Sequence, residues 1–489
     1  MLCSTLNLAQ MAWTADQPQW GQRYSRNMVS DEKGLPDSFA SNVKWSAALG
    51  DQSYGTPIVA GGKVLIGTNN ERPRDARHQG DRGVLMCFDE KDGHLCWQLV
   101  VPKMEDDPYL DWPKVGMAST PTVEGNRVYT LTNRGEVVCL DLNGMADGND
   151  GPFRDEGRHM TPRGQPLMEP GPLDADIIWI CDLVKEAGVH IHDQVEGSVL
   201  IDGDYLYVNS NNGVDNTHRR IRSPNAPSLV VLDKRTGRIV AWDDEHIGPH
   251  IFHSTWSSPS LGVVNGRRLI FFGGCDGVCY AFDAFAPTGG AGSPAMLPDV
   301  WKFDCDPAGP KGDIHRFISN RRDGPSEILG MPAFFENRVY VVAGGDLWWG
   351  KRKSWLKCID ATKAGDVTKT AEVWSCPLGR ESCSTPAVYD GLVFVSDCGG
   401  VVHCIDAITG QPVWTYKADG GFWASPMIAD GKLYIGTRAG EFDVLAATRE
   451  KRLISSTQVG DPISATITAA NGSLYLATMT HLYALSRNK

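Results

Sequence analysis

Two short segments of the sequence each carry a pair of histidines just before a stretch that reads as a β-strand. The first, GVHIHDQVEG, contains His190 and His192, and the second, GPHIFHSTWS, contains His250 and His253. Histidine is both a common metal ligand and a common general acid or base. The chemistry open to these four side chains therefore depends on whether the fold brings the two segments together.

Two kinds of site are compatible with these residue types. Neutral imidazoles with one carboxylate suit zinc, manganese or iron, and Asp193 and Glu327 are the candidate carboxylates. The same groups could serve as a general acid and base on a carbohydrate-like substrate. The spacing does not match a motif such as H-E-x-x-H, and polar loops also use histidines to satisfy backbone groups. The candidate catalytic residues are His190, His192, His250, His253, Asp193 and Glu327, and the four histidines are also the candidate metal ligands.

The composition excludes several classes of partner. The 489 residues are 42% hydrophobic and 22% charged, as in an ordinary globular protein, and the formal net charge is −12. Because no run rich in Lys or Arg stands out, nucleic acid is not an expected partner. No apolar stretch is long enough to span a bilayer, so no transmembrane segment is expected.

A recurring pattern organises the chain. The segments CFDEKDGHLCW (87–97) and CIDAITGQPVW (404–414) share a small residue, an Asp, a Gly turn and a Trp. Ahead of such segments, a small residue and a Pro precede alternating apolar residues on both sides of GG, GN, NG or DG, which is a hairpin signal. Each unit therefore reads as four antiparallel strands, A to D, with the Asp ending strand C and the Trp on strand D.

The number of units predicts a closed ring. The predicted A strands begin near Thr56, Thr120, Ser198, Ser258, Met331, Thr385, Ser425 and Ala465. The last three starts are 40 residues apart, a spacing typical of β-propeller blades. The final unit stops after strand C, whereas NVKWSAALG (42–50) reads as an isolated D strand. We therefore predict an all-β, eight-bladed β-propeller of four-stranded antiparallel blades, closed by the N-terminal strand completing the last blade.

The repeated Asp, Gly and Trp resemble the tryptophan-docking motif of the pyrroloquinoline-quinone (PQQ) repeat propellers. That family includes quinoprotein alcohol dehydrogenases and the outer-membrane-assembly propeller lipoprotein, and the chain is similar to PQQ-binding-like propellers of planctomycete-type bacteria over roughly residues 18–486. The resemblance implies a periplasmic or secreted protein. One unit, VLAATREKRLI (444–454), has Ala446, Glu450 and Ile454 in place of the motif residues, so we expect that blade to dock more loosely.

The predicted topology sorts the insertions between two faces. In a propeller the D–A connections and B–C turns lie on one face, and seven long insertions fall in such positions. Both histidine pairs belong to consecutive D–A connections, so we expect them side by side at the mouth of the central channel. We expect residues 1–41 to form a leader and N-terminal arm, and 42–489 a single propeller with long loops on one face. The insertion at 143–176 is expected on the opposite face.

Three functions stay open at this point. The first is an extracytoplasmic propeller that binds a small-molecule, glycan or protein ligand at the loop-rich channel mouth. The second is a metal-dependent enzyme that acts on a carbohydrate-like substrate through the four histidines. The third, implied by the resemblance, is a PQQ-dependent alcohol or sugar dehydrogenase, for which Trp348, Trp349, Trp423 and Arg380 are the candidate cofactor-binding residues.

The sequence favours a divalent metal over PQQ as a cofactor. The adjacent cysteine pair that caps the quinone in the alcohol dehydrogenases is absent, and so is a C-x-x-C-H haem motif. The calcium-binding Glu, Asn and Asp of that family have no matching positions in this chain. The dehydrogenase function therefore depends on similarity of fold alone.

Overall fold

The computed structural model describes residues 15–104, 107, 109–287 and 293–487. Of the expected leader and N-terminal arm, residues 1–14 lie outside this described part. The described chain forms eight β-sheets, each with four sequential antiparallel strands around a central channel, and the prediction of an eight-bladed all-β propeller is confirmed.

The strands of each blade, from A to D, have the following bounds. Blades one to four comprise Ile58–Ala60, Lys63–Asn69, Arg82–Asp89 and Leu95–Pro102; Thr122–Glu124, Arg127–Leu131, Glu136–Asp141 and Ile177–Asp182; Leu200–Asp202, Tyr205–Asn209, Leu229–Asp233 and Ile239–Trp242; and Ser260–Val264, Arg267–Gly273, Val278–Asp283 and Asp299–Asp304. Blades five to eight comprise Ala333–Phe335, Arg338–Gly344, Ser354–Asp360 and Glu372–Leu378; Ala387–Tyr389, Leu392–Ser396, Val401–Asp406 and Pro412–Lys417; Met427–Ala429, Lys432–Gly436, Glu441–Ala446 and Leu453–Gln458; and Thr468–Ala470, Ser473–Ala477, His481–Ser486 and Val43–Ala48.

Three two-residue strands add parallel edges to blades seven, three and four: Val29–Ser30, Ala295–Met296 and Gly365–Asp366. The helical segments are short and lie in loops: Ala40–Asn42, Gly144–Ala146, Glu156–Met160, Leu183–Glu186, Gly248–His250 and Ile314–Phe317. Within the described ranges, none of these helices has the length and apolar character needed to cross a bilayer.

The ring closes as the sequence predicts. Strand Val43–Ala48 pairs antiparallel with His481–Ser486, and Trp45 lies opposite Ala484. The chain's first blade strand therefore supplies strand D of the last blade, and no open sheet edge remains at the junction.

Tryptophan docking holds neighbouring blades together. In six blades the indole Nε1 donates to a backbone carbonyl in the C–D turn of the next blade, at 2.8–3.2 Å. These donors are Trp45, Trp97, Trp179, Trp301, Trp374 and Trp414. The ring lies against the motif glycine, so closely that a Cβ on Gly410 would be 2.6 Å from Trp374. Ile454 has no N–H to donate, and looser docking of blade seven stays a prediction.

The Ser or Thr just before strand A, which precedes a Pro in four of the five blades concerned, has a structural role that the sequence did not reveal. The hydroxyl of a Ser or Thr at the start of one A strand accepts a hydrogen bond from a backbone N–H at the start of the preceding one. Five such bonds of 2.9–3.1 Å follow the ring, accepted by Thr120, Ser258, Thr385, Ser425 and Thr466. They satisfy buried amides that no strand ladder reaches.

The N-terminal arm fills the central channel. Residues 15–32, which we call the channel segment, bond to strand A, to the residues just before it or to the A–B turn in every blade. The blade residues in these bonds are Val59, Val123, Ser198, Val199, Leu261, Phe334, Val388, Ile428, Asn471 and Gly472. Arg26 is fully buried there and donates to the carbonyls of Trp20, Ser198, Val199 and Pro259 and to the hydroxyl of Ser198. Trp20 of this segment lines a cavity whose other walls include Trp256, Trp348 and Trp423.

The insertion at 143–176 leaves strand C of blade two at the opposite face. It then runs along the outer edge of blade one, where Gln98 exchanges backbone hydrogen bonds with Leu173 and Ala175. His159 of this insertion lies 3.0 Å from Glu136 at the other end of strand C. The insertion therefore covers the rim between two blades.

Candidate functional site

Four side chains from three loops meet at the channel mouth and form what we call the histidine cluster: His192, Asp193, His218 and His253. One ligand atom from each lies within 4.8 Å of those of the other three. The Nε2 atoms of His192 and His218 are 3.0 Å apart. The Asp193 carboxylate lies 3.4 Å from Nε2 of His192 and 3.3 Å from Nε2 of His253.

The loops reach this position because one segment links them. In the B–C loop of blade three, Asn212 pairs with Ile191 and Gly213 pairs with Ser254, so this loop joins both histidine-bearing connections. Gly213 is required there, since a Cβ would be 2.7 Å from Cβ of His192.

Backbone strain is concentrated in two members of the cluster. Asp193 has a φ of 60° and His218 a φ of 57°, in the left-handed region that few non-glycine residues adopt. The Asp193 backbone is held by hydrogen bonds to Tyr109 and Trp112, each of 2.5 Å. Strained residues of this kind are common at functional sites.

A buried carboxylate outside the cluster orients His253. Oδ2 of Asp346 lies 2.9 Å from Nδ1 of His253, and both side chains are buried. The other carboxylate oxygen accepts from the backbone N–H groups of Trp348 and Trp349, at 2.9 and 2.5 Å. Asp346 therefore fixes the ring so that Nε2 points into the cluster.

The electrostatic environment separates the protonation states of the histidines. Burial and the positive charge of His253 lower the pKa of His192 to about 3. Burial also lowers the pKa of His218. For His253, the carboxylates of Asp346 and Asp193 outweigh burial and raise the pKa to about 10. Asp193 is held ionised, because hydrogen bonding to His253 outweighs burial and lowers its pKa.

The cluster forms one wall of a cleft of about 540 Å³ that we call the aromatic cleft. Its aromatic lining consists of Tyr54, Tyr109, Trp112, Trp256, Trp348, Trp349 and Trp423. Asp193 and His218 face the same space, together with Gln52 and Gln194. Trp112 and Trp348 are each 42% exposed, which is unusual for this side chain.

The structure brings only some of the predicted residues to this site. His192, His253 and Asp193 are in the cluster, and Trp348, Trp349 and Trp423 line the cleft. His190 and His250 lie outside the cluster: the backbone N–H of His190 bonds to Asn212, and His250 is exposed at the end of a one-turn helix.

The other two candidates have different partners. Glu327 is buried and accepts a hydrogen bond from Cys275 at 3.0 Å, and burial raises its pKa to about 8. Arg380 forms a two-point ion pair with Glu381 at 2.8 and 2.9 Å. Neither side chain lines the aromatic cleft.

His218 and Asp346 are the functional candidates that sequence reasoning missed. Each is an isolated residue in a long B–C insertion, with no second histidine or acidic motif beside it. The available signal was the assignment of these insertions to the loop-rich face, which does not identify a particular side chain.

The cleft does not fit PQQ, the planar tricarboxylate that the family resemblance implies. Among its described lining residues none is Lys or Arg, and Asp193 adds a negative charge. Trp348 meets Trp256 and Trp423 edge to face, at 74° and 77°, rather than forming parallel walls. A flat anion would therefore lack a stacking slot, and the nearby cation Arg438 lies outside the lining, 4.2 Å over the ring of Trp423.

Comparison with known proteins gives related propellers of two kinds. The dehydrogenase subunit of a quinone alcohol dehydrogenase from Gluconacetobacter polyoxogenes is 23% identical over 496 aligned residues, covering 90% of this chain and 59% of that protein. This chain thus spans less than two thirds of that relative's length.

Two solved structures show the same fold. A europium-containing methanol dehydrogenase is 12% identical with a TM-score of 0.63, covering 97% of this chain and 98% of its own. The assembly factor BamB from Moraxella catarrhalis is 14% identical with a TM-score of 0.53, covering 91% and 96%.

The family assignment comes from the sequence match. Residues 37–150 and 352–487, together just over half of the chain, match the family described as outer membrane protein assembly factor BamB. The chain therefore belongs to this family of PQQ-type repeat propellers.

Proposed function

We propose that the protein binds a small, uncharged, carbohydrate-like ligand in the aromatic cleft, outside the cytoplasm. The single observation that carries this proposal is the cleft itself, which five tryptophans line on one face of the propeller. Indole faces pack against the apolar faces of ring-shaped ligands, and their N–H groups can bond to hydroxyls.

The polar lining supports a neutral ligand with hydroxyl groups. Gln52, Gln194 and Tyr54 supply donors and acceptors, and Asp193 supplies an acceptor. An acidic sugar would meet Asp193 without a lining Lys or Arg among the described residues. The volume of about 540 Å³ is within the range of small-molecule pockets and suits a short glycan segment better than a folded protein partner.

The proposed location comes from the family and has its own test. All twelve described cysteines are free, and nine of them are buried. Most thiols are therefore shielded from the oxidants of the proposed location outside the cytoplasm. Fractionation of cells that make the full-length protein should recover it with periplasmic or secreted markers. Recovery with cytoplasmic markers would contradict the location and leave the ligand proposal standing.

Tryptophan fluorescence offers a direct test of binding. We expect saturable quenching or enhancement with at least one neutral oligosaccharide in a panel that also contains acidic oligosaccharides and PQQ with calcium. Trp348→Ala should weaken binding about tenfold, because loss of one stacking ring costs about 1–2 kcal/mol. The control is Phe335→Ala, a ring with similar exposure (37%) at the A–B turn of blade five on the opposite face.

Three results would count against the proposal. They are no response to any neutral sugar, equal weakening by both variants, or tight binding of PQQ that Trp348→Ala abolishes. The last result would favour the dehydrogenase alternative.

A metal-dependent enzyme is the second candidate function. The observation that favours it is that Asp193 and His218 of the histidine cluster face the same cleft. A bound sugar would lie next to groups able to activate water or polarise a hydroxyl. Conversion of a bound oligosaccharide that stops with a chelator and resumes with added metal would support this candidate, and an unchanged ligand would contradict it.

A further inference from the structure

The histidine cluster contains buried polar atoms that no protein partner satisfies. Nδ1 of His192 and Oδ1 of Asp193 are buried and have no hydrogen-bond partner among the described residues, and Nε2 of His253 has none beyond its ion-pair contact of 3.3 Å with Oδ2 of Asp193. Nε2 of His192 faces Nε2 of His218 at 3.0 Å, so two like atoms point at one another. Leaving such groups unpaired costs about 1–3 kcal/mol each. A ligand bound between Nε2 of His192, Nε2 of His218 and the Asp193 carboxylate would separate the two like nitrogens and satisfy Oδ1 of Asp193.

The spacing of these atoms fits a single metal ion. Donors about 2.0–2.1 Å from a tetrahedral zinc ion lie about 3.3 Å from one another. Three of the six pairs of ligands approach to 3.0, 3.3 and 3.4 Å, the last two through different oxygens of Asp193, and the other pairs lie within 4.8 Å. Of these contacts, the one between Nε2 of His192 and Nε2 of His218 joins two nitrogens with no carboxylate between them, and a metal ion shared by both would account for it.

The carboxylate that orients His253 is also placed as in known metal centres. A metal-bound histidine commonly donates its second ring N–H to a carboxylate, which fixes the ring and its tautomer. Nδ1 of His253 is in this relation to Asp346, which two backbone N–H groups hold in turn. Asp346 thus orients the ring, and Nε2 on its other side faces Asp193, a second candidate ligand of the same ion.

Two other groups of candidate ligands already contain a protein cation. In the group of Asp75, His78 and Asp174, the Arg77 guanidinium lies 2.6 Å from Asp75 and 2.8 Å from Asp174. The cation there is therefore a side chain, and no metal is needed to balance the carboxylates.

The group of Asp89, His94 and Cys96 is similar. Nζ of Lys63 lies 3.3 Å from Sγ of Cys96 and 3.8 Å from Asp89. In the histidine cluster, by contrast, the ion pairs of Asp193 among the described residues involve no Lys or Arg but only His192 and His253, and an imidazole can give up its proton to a metal ion.

We propose that His192, Asp193, His218 and His253 bind one divalent transition-metal ion of the zinc type, with Asp346 as a positioning residue. Three imidazoles and one carboxylate suit zinc, cobalt, manganese or iron, and Irving–Williams affinities favour zinc over the others. The ion lies beside the aromatic cleft, where a ligand or water can reach it through the side of Asp193 and His218. This site goes beyond the proposed sugar binding and does not depend on it.

Metal titration of the full chain tests the proposal. Protein stripped with a chelator is titrated with Co²⁺, followed by its visible ligand-field absorption, and then with Zn²⁺, which should displace Co²⁺. We expect one ion per chain by elemental analysis, bound before any second, weaker site fills. Asp346→Asn should keep the stoichiometry and weaken binding about 10- to 100-fold.

Matched variants separate this site from others. His218→Ala should abolish the Co²⁺ absorption, whereas His250→Ala, another histidine of the same face, should leave it unchanged. Cys96→Ser should also leave it unchanged. Asp193→Asn, which keeps the side-chain size, serves as a second test if His218→Ala fails to fold, as judged by circular dichroism.

Several results would overturn the proposal. They are no saturable Co²⁺ or Zn²⁺ binding by the folded protein, full binding in both His218→Ala and Asp193→Asn, or loss of binding in Cys96→Ser. Failure to bind sugar in the fluorescence titration would leave this metal result unaffected, so the two proposals can fail separately.

Discussion

A pair of glycine substitutions can isolate the contribution of tryptophan docking to stability. Gly410 and Gly431 have almost the same left-handed backbone, with φ of 70° and 69°. An added Cβ at Gly410 would meet three atoms of the Trp374 side chain at 2.6–2.8 Å, whereas at Gly431 nothing lies within 4 Å. Replacing each glycine by alanine therefore imposes the same backbone strain, with steric overlap at one position alone.

The expected magnitudes follow from these contacts. A left-handed alanine costs about 1 kcal/mol relative to glycine at either position. Overpacking adds about 1–3 kcal/mol at Gly410. The Trp374 ring cannot move away freely, because its Nε1 donates to the carbonyl of Ala407 at 3.0 Å. We expect Gly431→Ala to lower the free energy of unfolding by about 1 kcal/mol and Gly410→Ala by about 2–4 kcal/mol.

Urea unfolding, followed by fluorescence and circular dichroism at equal protein concentration, measures the difference between the two variants. Reversibility and coincident transitions must hold for the free energies to be meaningful. Equal losses in Gly410→Ala and Gly431→Ala would refute the claim that the docked ring, rather than the backbone conformation, makes the motif glycine necessary.

Two further predictions concern buried charges. Arg26→Met should lower the free energy of unfolding by about 2–4 kcal/mol, because the carbonyls of Trp20, Ser198 and Pro259 lose the Arg26 donor and that of Val199 keeps only the Thr122 hydroxyl. An unchanged urea midpoint would contradict a structural role for the channel segment. The hydrogen bond from His159 and the charges of His159 and Arg134 outweigh burial and lower the pKa of Glu136 from 4.5 to about 2. The ionised Glu136 therefore stabilises the folded state fully above pH 4.5, and this stabilisation is lost as the pH falls toward 2. Glu136→Gln should therefore cost about 3 kcal/mol at pH 7 and progressively less below pH 4.5, and a loss independent of pH would contradict this.

The blades were predictable because their signals are local. The hairpin turns, the alternation of apolar residues and the Asp-Gly-Trp pattern each act within one unit of the chain, and the predicted A strands begin two or three residues before the observed ones. The closure by Val43–Ala48 followed from an incomplete last unit. The meeting of the loops carrying His192 and His253 followed from the order of strands around a ring.

The details of the site were not predictable, because they depend on contacts between distant residues. In an extended segment His190 and His192 would point to the same side, so the sequence does not tell which of the two reaches the site. The left-handed turn at Asp193 has no local sequence signal. His218 enters the cluster through pairing at Asn212 and Gly213. The channel segment has no periodicity, and its conformation is set by the blades around it.

Zinc-edge X-ray absorption of the zinc-loaded protein tests the convergence of three loops on one ion most directly. We expect nitrogen and oxygen neighbours at about 2.0–2.1 Å, with the outer pattern of several imidazoles. A sulfur neighbour at about 2.3 Å would place the ion at Cys96 instead. That result, or a spectrum without imidazole features, would contradict a metal centre formed by His192, Asp193, His218 and His253.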